Sequence, residues 1–268
     1  MAIKKWFIAG DTHGANIQVV RRTRKIYPGF VSQEIGLIIL GDAGFNCGCA
    51  EEDDKWKKIV NKIGVQIYCV RGNHDQHPKY MNENGYCFNK VFDENVQGMV
   101  YQQEKYPNIK YFLDGHEYII DGLRTLVIGG AYSIDKNYRL ENNMFWEPHE
   151  QLTEQEMKDI SETFKGEHFN FILSHTCPLS WQPKDLFLTF INQKEVDNSM
   201  EVWMEEFKSL ITFDMWYFGH YHQDRLVRPC GAQMLYKSID SLDEAKARWI
   251  DKDPEYLIGW AKDPNYYL

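Results

Sequence analysis

The 268-residue sequence has no apolar run near the ~18 residues that a membrane-spanning helix needs. Its mean hydropathy is -0.53, and no membrane association is expected. Cysteine is scarce. The six residues (Cys47, Cys49, Cys69, Cys87, Cys177, Cys230) lack the spacing of a disulfide framework. Cys47-Gly48-Cys49 is the only close pair, and no second pair completes a zinc knuckle, so reduced thiols are expected. Basic charge is short as well: 30 Lys and Arg stand against 39 Asp and Glu, for a net charge of -9. The one basic cluster, Arg21-Arg22-Thr23-Arg24-Lys25, falls on an expected helix as a solvated face. Proteins that track a nucleic-acid backbone normally carry a basic face, which makes nucleic acid a disfavoured partner, although a small phosphodiester needs no basic track. Nothing resembling a signal segment precedes the first apolar run after Trp6, and the expected location is cytoplasmic.

What is present is a hydrophobic share of 43%, enough for a sizeable core. No internal linker divides the chain. Residues 1–240 are expected to form one domain, with an aromatic tail, 241–268, packed on it. The tail carries Trp249, Tyr256, Trp260, Tyr266 and Tyr267, and Lys252-Asp253-Pro254-Glu255-Tyr256 is echoed ten residues on by Lys262-Asp263-Pro264-Asn265-Tyr266. A homo-oligomeric contact is an alternative use for it.

Five apolar runs organise the rest. Phe7 to Gly10 end in Asp11-Thr12-His13, and Leu37 to Gly41 end in Asp42. Val65 to Val70 lead through Arg71-Gly72 to Asn73-His74-Asp75. Phe169 to Ser174 end in His175, and Met215 to Gly219 in His220-Tyr221-His222. Each run has the length and composition of a buried strand, and each delivers residues able to bind a hard or borderline metal. The C-terminal ends of strands are where open α/β sheets place ligand-binding groups. Taken singly, Asp42 reads equally as a helix N-cap, His13 as a helix start and Asp75 as a turn cap. On a continuing strand His220 and His222 would share a face. His77, His116, His149 and His168 fit no motif and are expected at the surface, His77 nearest the site.

Helical spacing over Ala15 to Ile26 and Glu51 to Ile63 completes a β-α-β-α-β start. Short strands follow at Val96 to Tyr101, Ile109 to Leu113, His116 to Ile120 and Arg124 to Ile128, with a hairpin dipeptide at Asp121-Gly122. These hairpins predict a second, antiparallel or mixed sheet. Gly129 to Arg139 reads as a glycine-started loop, Thr153 with Glu156 as a capping box, and Pro178 to Asn198 as an irregular excursion. Met200 to Ile211 is the next expected helix, and the final strands are Asp224 to Arg228 and Ala232 to Ser238. The fold class is α/β, with two packed mixed sheets flanked by helices.

Taken in order, G-D-T-H-G from Gly10, G-D at Gly41, G-N-H-D from Gly72, S-H at Ser174 and G-H-Y-H from Gly219 resemble the motifs of the calcineurin-like metallophosphoesterases, in a small bacterial or phage-type form. The resemblance implies a dinuclear centre. Asp11, His13, Asp42 and His222 would hold one ion, and Asp42, Asn73, His175 and His220 the other, with Asp42 bridging. It implies hydrolysis of a small phosphomonoester or phosphodiester by a metal-bridging hydroxide; a nuclease or nucleotide phosphodiesterase is the alternative. Imidazole and oxygen ligands without cysteine suit transition metals in the divalent or trivalent state, manganese first, with Fe, Zn, Ni or Co as alternatives. His74 would face the substrate and protonate the leaving oxygen or stabilise the transition state, oriented by Asp11 or Asp75 in an imidazolium form. Asn73, Arg139 and Lys136 are candidate substrate contacts, with a surface ion pair as the other reading of Arg139. The second acid and the arginine of G-D-x-x-D-R-G are missing after Asp42, which argues against a protein phosphatase. A scaffold that has lost activity usually lacks the counterpart of His74 or several ligands, and this chain keeps them all.

Overall fold

A computed structural model describes residues 2–252, apart from 27, 28, 30, 49, 84, 85 and 228–230. β1 (Lys5–Ala9), α1 (Asn16–Ile26), β2 (Ile35–Ile39), α2 (Ala50–Ile63) and β3 (Gln66–Cys69) form the expected parallel β-α-β-α-β unit. β1 and β2 are buried on both faces, so they read as unbroken apolar runs. Their side chains still alternate. Trp6, Ile8, Ile38 and Tyr68 enter the core between two sheets, whereas Phe7, Leu37 and Ile67 pack with Val20 of α1 and Val60 of α2.

The middle third does not build a second sheet by itself; it is shared between two. After α3 (Pro78–Glu83), β4 (Asn89–Asp93), β5 (Gly98–Gln102) and β6 (Ile109–Phe112) extend the first sheet, with β6 parallel to β3 and the others antiparallel. β7 (His116–Ile120) and β8 (Leu123–Ile128) open the second sheet. The hairpin between them places Asp121 and Gly122 at φ of 51° and 78°, the positive values a type I′ turn demands. Neither α3 nor β4 was expected. β4 is a largely exposed edge strand whose Asn, Lys and Asp give little strand signal.

The chain continues with α4 (Lys136–Glu141), α5 (Glu154–Phe164), β9 (His168–Ser174), α6 (Ser199–Leu210) and β10 (Thr212–Phe218). β11 (Arg225–Val227), β12 (Ala232–Met234), β13 (Ile239–Ser241) and α7 (Leu242–Trp249) complete it. The Thr153–Glu156 capping box opens α5 as expected. The sheets run β13-β1-β2-β3-β6-β5-β4 and β11-β12-β10-β9-β8-β7. Both are mixed. Helices α5 and α6 cover the outer face of the second through Met157, Ile160, Met204 and Phe207. β13, also unforeseen, returns the chain to the first sheet antiparallel to β1.

Leu242 and Ala245 of α7 join the central core, with Trp249 packed against it. The remaining tail aromatics, Tyr256, Trp260, Tyr266 and Tyr267, lie outside the described residues, as does nearly all of the repeated segment. Cys47, Cys69, Cys87 and Cys177 are free thiols; Cys49 and Cys230 fall outside the described residues. Among the described residues no helix is long and apolar enough to cross a membrane.

Candidate metal centre

The strands β1, β2 and β3 of one sheet and β9 and β10 of the other end at the same edge of the molecule, and their loops meet there. The glycines before the motif residues are small for a shared reason. A Cβ on Gly41 would fall on the His175 ring, one on Gly72 on Asp42, and one on Gly219 on the Asp11 carboxylate. Each makes room for a residue from a different motif. The same loops are strained: His13, Asp42, His220 and His222 all have positive φ, between 42° and 68°. Non-glycine residues adopt that conformation at a cost, and four of them meet at this one place.

Asp11, His13 and His222 offer ligand atoms within 4.8 Å of one another, and so do Asp11, Asp42 and His175. His222 Nε2 lies 3.3 Å from Asp11 Oδ2, and the His13 and His222 Nε2 atoms face each other at 2.8 Å. His175 Nε2 is 2.8 Å from Asn73 Oδ1 and 3.7 Å from Asp42 Oδ2, and His220 Nδ1 is 3.1 Å from the same Asn73 oxygen. His220 and His222 therefore serve different groups. They do not share a strand face, because β10 ends at Phe218 and a turn held by His220 N–H donating to Asp11 at 2.9 Å separates the two rings.

The donor set fits cations. His175 Nδ1 lies 2.7 Å from the Leu40 carbonyl and must donate to it, which leaves Nε2 of the neutral ring as a bare lone pair. That lone pair faces the Asn73 carbonyl oxygen, another acceptor. Burial pushes His13, His175 and His220 below the usual histidine range, so their lone pairs are available near neutral pH. Asp11, Asp42 and Asp75 are buried together, and no described Lys or Arg forms an ion pair with any of them. Burial, then the Asp75 and Asp11 charges, hold Asp42 well above the carboxylate range. Burial raises Asp11 too, but the His175 imidazole and hydrogen bonding with His222 and His220 outweigh it and leave its carboxyl low. Buried charge of this density is stable only when paired or bound to metal.

A model of the calcineurin-like phosphoesterase family matches residues 5–224. The chain belongs to that family. This phosphoesterase is accordingly a metal-dependent hydrolase of phosphoesters. No curated protein matches it. Among solved structures it is similar to TT1561 of Thermus thermophilus, with 12% identity, 90% of this chain and 98% of that chain covered, and a TM-score of 0.44.

The other expected residues are placed as follows. His74 lines a cavity beside the centre, with Nε2 4.0 Å from Asp42 Oδ2 and 3.3 Å from Asn73 Nδ2. Its nearby carboxylates are Asp42 and Asp135 rather than Asp11 or Asp75. Burial and the Arg139 charge push it down to about 4, which works against the expected imidazolium. Asp75 is a clamp between loops, accepting from Gly72 N–H at 3.1 Å and Ala43 N–H at 3.2 Å, and burial raises its carboxyl to about 7. Arg139 and Lys136 sit on α4, so the end of the expected loop is helical. The Arg139 Nε donates to Asp135 at 2.7 Å, which is the ion-pair reading. Lys136 is stacked 4.1 Å over the Trp146 ring and does not line the cavity. His77 is mostly buried and 3.6 Å from Asp114, not at the surface.

Three contributors were missed. Ser133 accepts from Asn73 Nδ2 at 2.8 Å and so turns the amide oxygen toward the histidines. Asp135 stands beside His74. Glu201 of α6 is buried in the cavity wall, one oxygen accepting from Thr176 Oγ1 at 2.6 Å. The first two lie in the loop that its glycines single out; nothing in the spacing of α6 marks Glu201.

Burial raises the Glu201 carboxyl to about 7. A folded-state value above the unfolded one means that the folded chain binds more protons, so this residue's contribution falls as pH rises from about 4.5 through 7. For Glu201→Gln the loss of unfolding free energy between pH 5 and 8, read from denaturant melts, is expected to be smaller than in the parent by an amount on the order of 3 kcal/mol. Parallel profiles would refute it.

Proposed function

We propose that this phosphoesterase is dinuclear and hydrolyses a small phosphomonoester or phosphodiester. Asp11, His13, Asp42 and His222 would hold one ion and Asp42, Asn73, His175 and His220 the other. The observation that carries this reading is the convergence of imidazole, amide and carboxylate lone pairs on one another across buried carboxylates that no described Lys or Arg pairs with. Mixed imidazole and oxygen ligands favour a transition metal, manganese first, with iron, zinc, nickel or cobalt as alternatives. When bound, two such ions supply Lewis acidity that acidifies water and offsets phosphoryl charge. The residues around them do the rest. Leu40, through His175, and Ser133, through Asn73, fix ligand orientation, and His74 presents Nε2 to the cavity as the group able to hydrogen-bond a phosphoryl or leaving oxygen.

For His74→Ala the expected result is unchanged metal content with turnover reduced roughly 10²–10⁴-fold. Unchanged turnover would remove His74 from the reaction. Paired rates on a chromogenic monoester and the corresponding bis-ester, on chelated protein given back Mn²⁺, test the activity itself. A null with Mn²⁺, Fe²⁺, Zn²⁺, Ni²⁺ and Co²⁺ alike would defeat the reading.

A further inference from the structure

A cavity of roughly 530 Å³ opens directly onto Asp42, Asn73, His74, His220 and His222. That is the size range of a small organic ligand site, about 300–1,000 Å³. Its walls are apolar and aromatic, with Tyr132, Ile134, Phe187, Val196 and Tyr221 among the residues that form them. Much of the wall comes from the excursion between β9 and α6. Among the described residues no Lys or Arg lines it, whereas Asp135, Asp197 and Glu201 all contribute carboxylates. Arg139, the cation whose charge reaches His74, is already paired with Asp135 at 2.7 Å, so a phosphate beyond the one at the metals would meet carboxylates without a free cation to offset them. Glu201 adds a directional feature. It is 3% exposed, and while Oε1 is bonded to Thr176, Oε2 has no partner. A buried acceptor left unpaired is unfavourable until a donor reaches it.

We propose that this cavity selects phosphoesters whose organic part is an uncharged, ring-sized group with an N–H or O–H donor that meets the Glu201 carboxylate in its wall, and that it rejects polyanions. The proposal rests on the phosphoesterase reading above. A nucleobase supplies both the flat apolar ring and the donor; a plain aryl group supplies only the ring. Aromatic walls suit either face, so Glu201 is the residue that discriminates between them.

The test compares, at pH 8 with Mn²⁺-loaded protein, kcat/KM for thymidine 5′-monophosphate p-nitrophenyl ester, for bis(p-nitrophenyl) phosphate, which has the same leaving group, and for an oligothymidylate. The thymidine ester is expected to exceed the bis-aryl ester by ~10-fold or more, chiefly through KM, with the oligothymidylate lowest. Glu201→Gln should shrink the first ratio, and Phe187→Ala should raise KM for both chromogenic esters. Calorimetry of thymidine on metal-free protein gives an independent readout, with binding expected and weakened ~10-fold in Glu201→Gln. The proposal falls if the oligothymidylate is cleaved as efficiently as the thymidine ester. It also falls if Glu201→Gln folds normally and leaves the ratio unmoved, or if thymidine does not bind. Absence of turnover on all three, which are diesters, would count against diester hydrolysis alone, since calorimetry still decides the cavity.

Discussion

Asp42→Asn is expected to lose both metal equivalents and all measurable turnover, while the metal-free protein becomes more stable. The two halves have one cause. Asp42 is buried beside Asp11 and Asp75, whose charges oppose its ionisation. Its carboxylate is useful only when cations are present. Asparagine keeps an acceptor for the His74 N–H, now bonded to Asp42 Oδ1 at 2.9 Å, and tolerates the left-handed φ of 45° better than most residues. The sign of the pH effect follows. A carboxyl raised above its unfolded value costs stability as pH rises through its titration, so the Tm gain of the metal-free variant should grow with pH. A gain of each kcal/mol would appear as ~2–4 °C in a domain near this size. Elemental analysis after chelation and Mn²⁺ return checks the first half. Two retained equivalents would end the case for a shared Asp42, and an unchanged Tm would show that the repulsion is relieved in another way.

Gly72→Ala should be strongly destabilising although it adds a single methyl group. The added carbon would fall on the Asp42 backbone nitrogen as well as its carboxylate, so no side-chain rotation relieves it. Overpacking of this kind costs ~3 kcal/mol, or roughly 6–12 °C in Tm, and displaces Asp42 from the centre. Gly166→Ala makes a useful comparison, because nothing lies within 4 Å of the added carbon and its φ of 84° leaves backbone strain as the only cost. Gly72 has no such φ, so its loss reports crowding alone, and an unchanged Tm in Gly72→Ala would show that crowding at Asp42 is unimportant.

The five strand ends were legible because buried parallel strands demand unbroken apolar runs, and such runs stand out when they stop at a polar residue. The same rule hid β4, whose exposed edge carries Asn, Lys and Asp. It also gave the wrong geometry for His220 and His222. Alternation presumes a strand that continues, and the close approach of Gly219 to Asp11 stops it. Glu201 and Ser133 were invisible for another reason: their roles come from packing between segments distant in the chain. Asp75 shows the limit in reverse. A carboxylate beside His74 in sequence turns its side chain away to hold two backbone amides from different loops.

The excursion that walls the cavity begins just after His175 and ends just before Glu201, and it contributes no candidate metal ligand. Its start is anchored on the second sheet and α6 through Trp181, and no residue from 182 to 199 belongs to that core. In evolutionary terms this makes it an exchangeable cassette. A change in the length or lining of this segment would change the molecules admitted and leave the hydrolytic residues on the other loops in place.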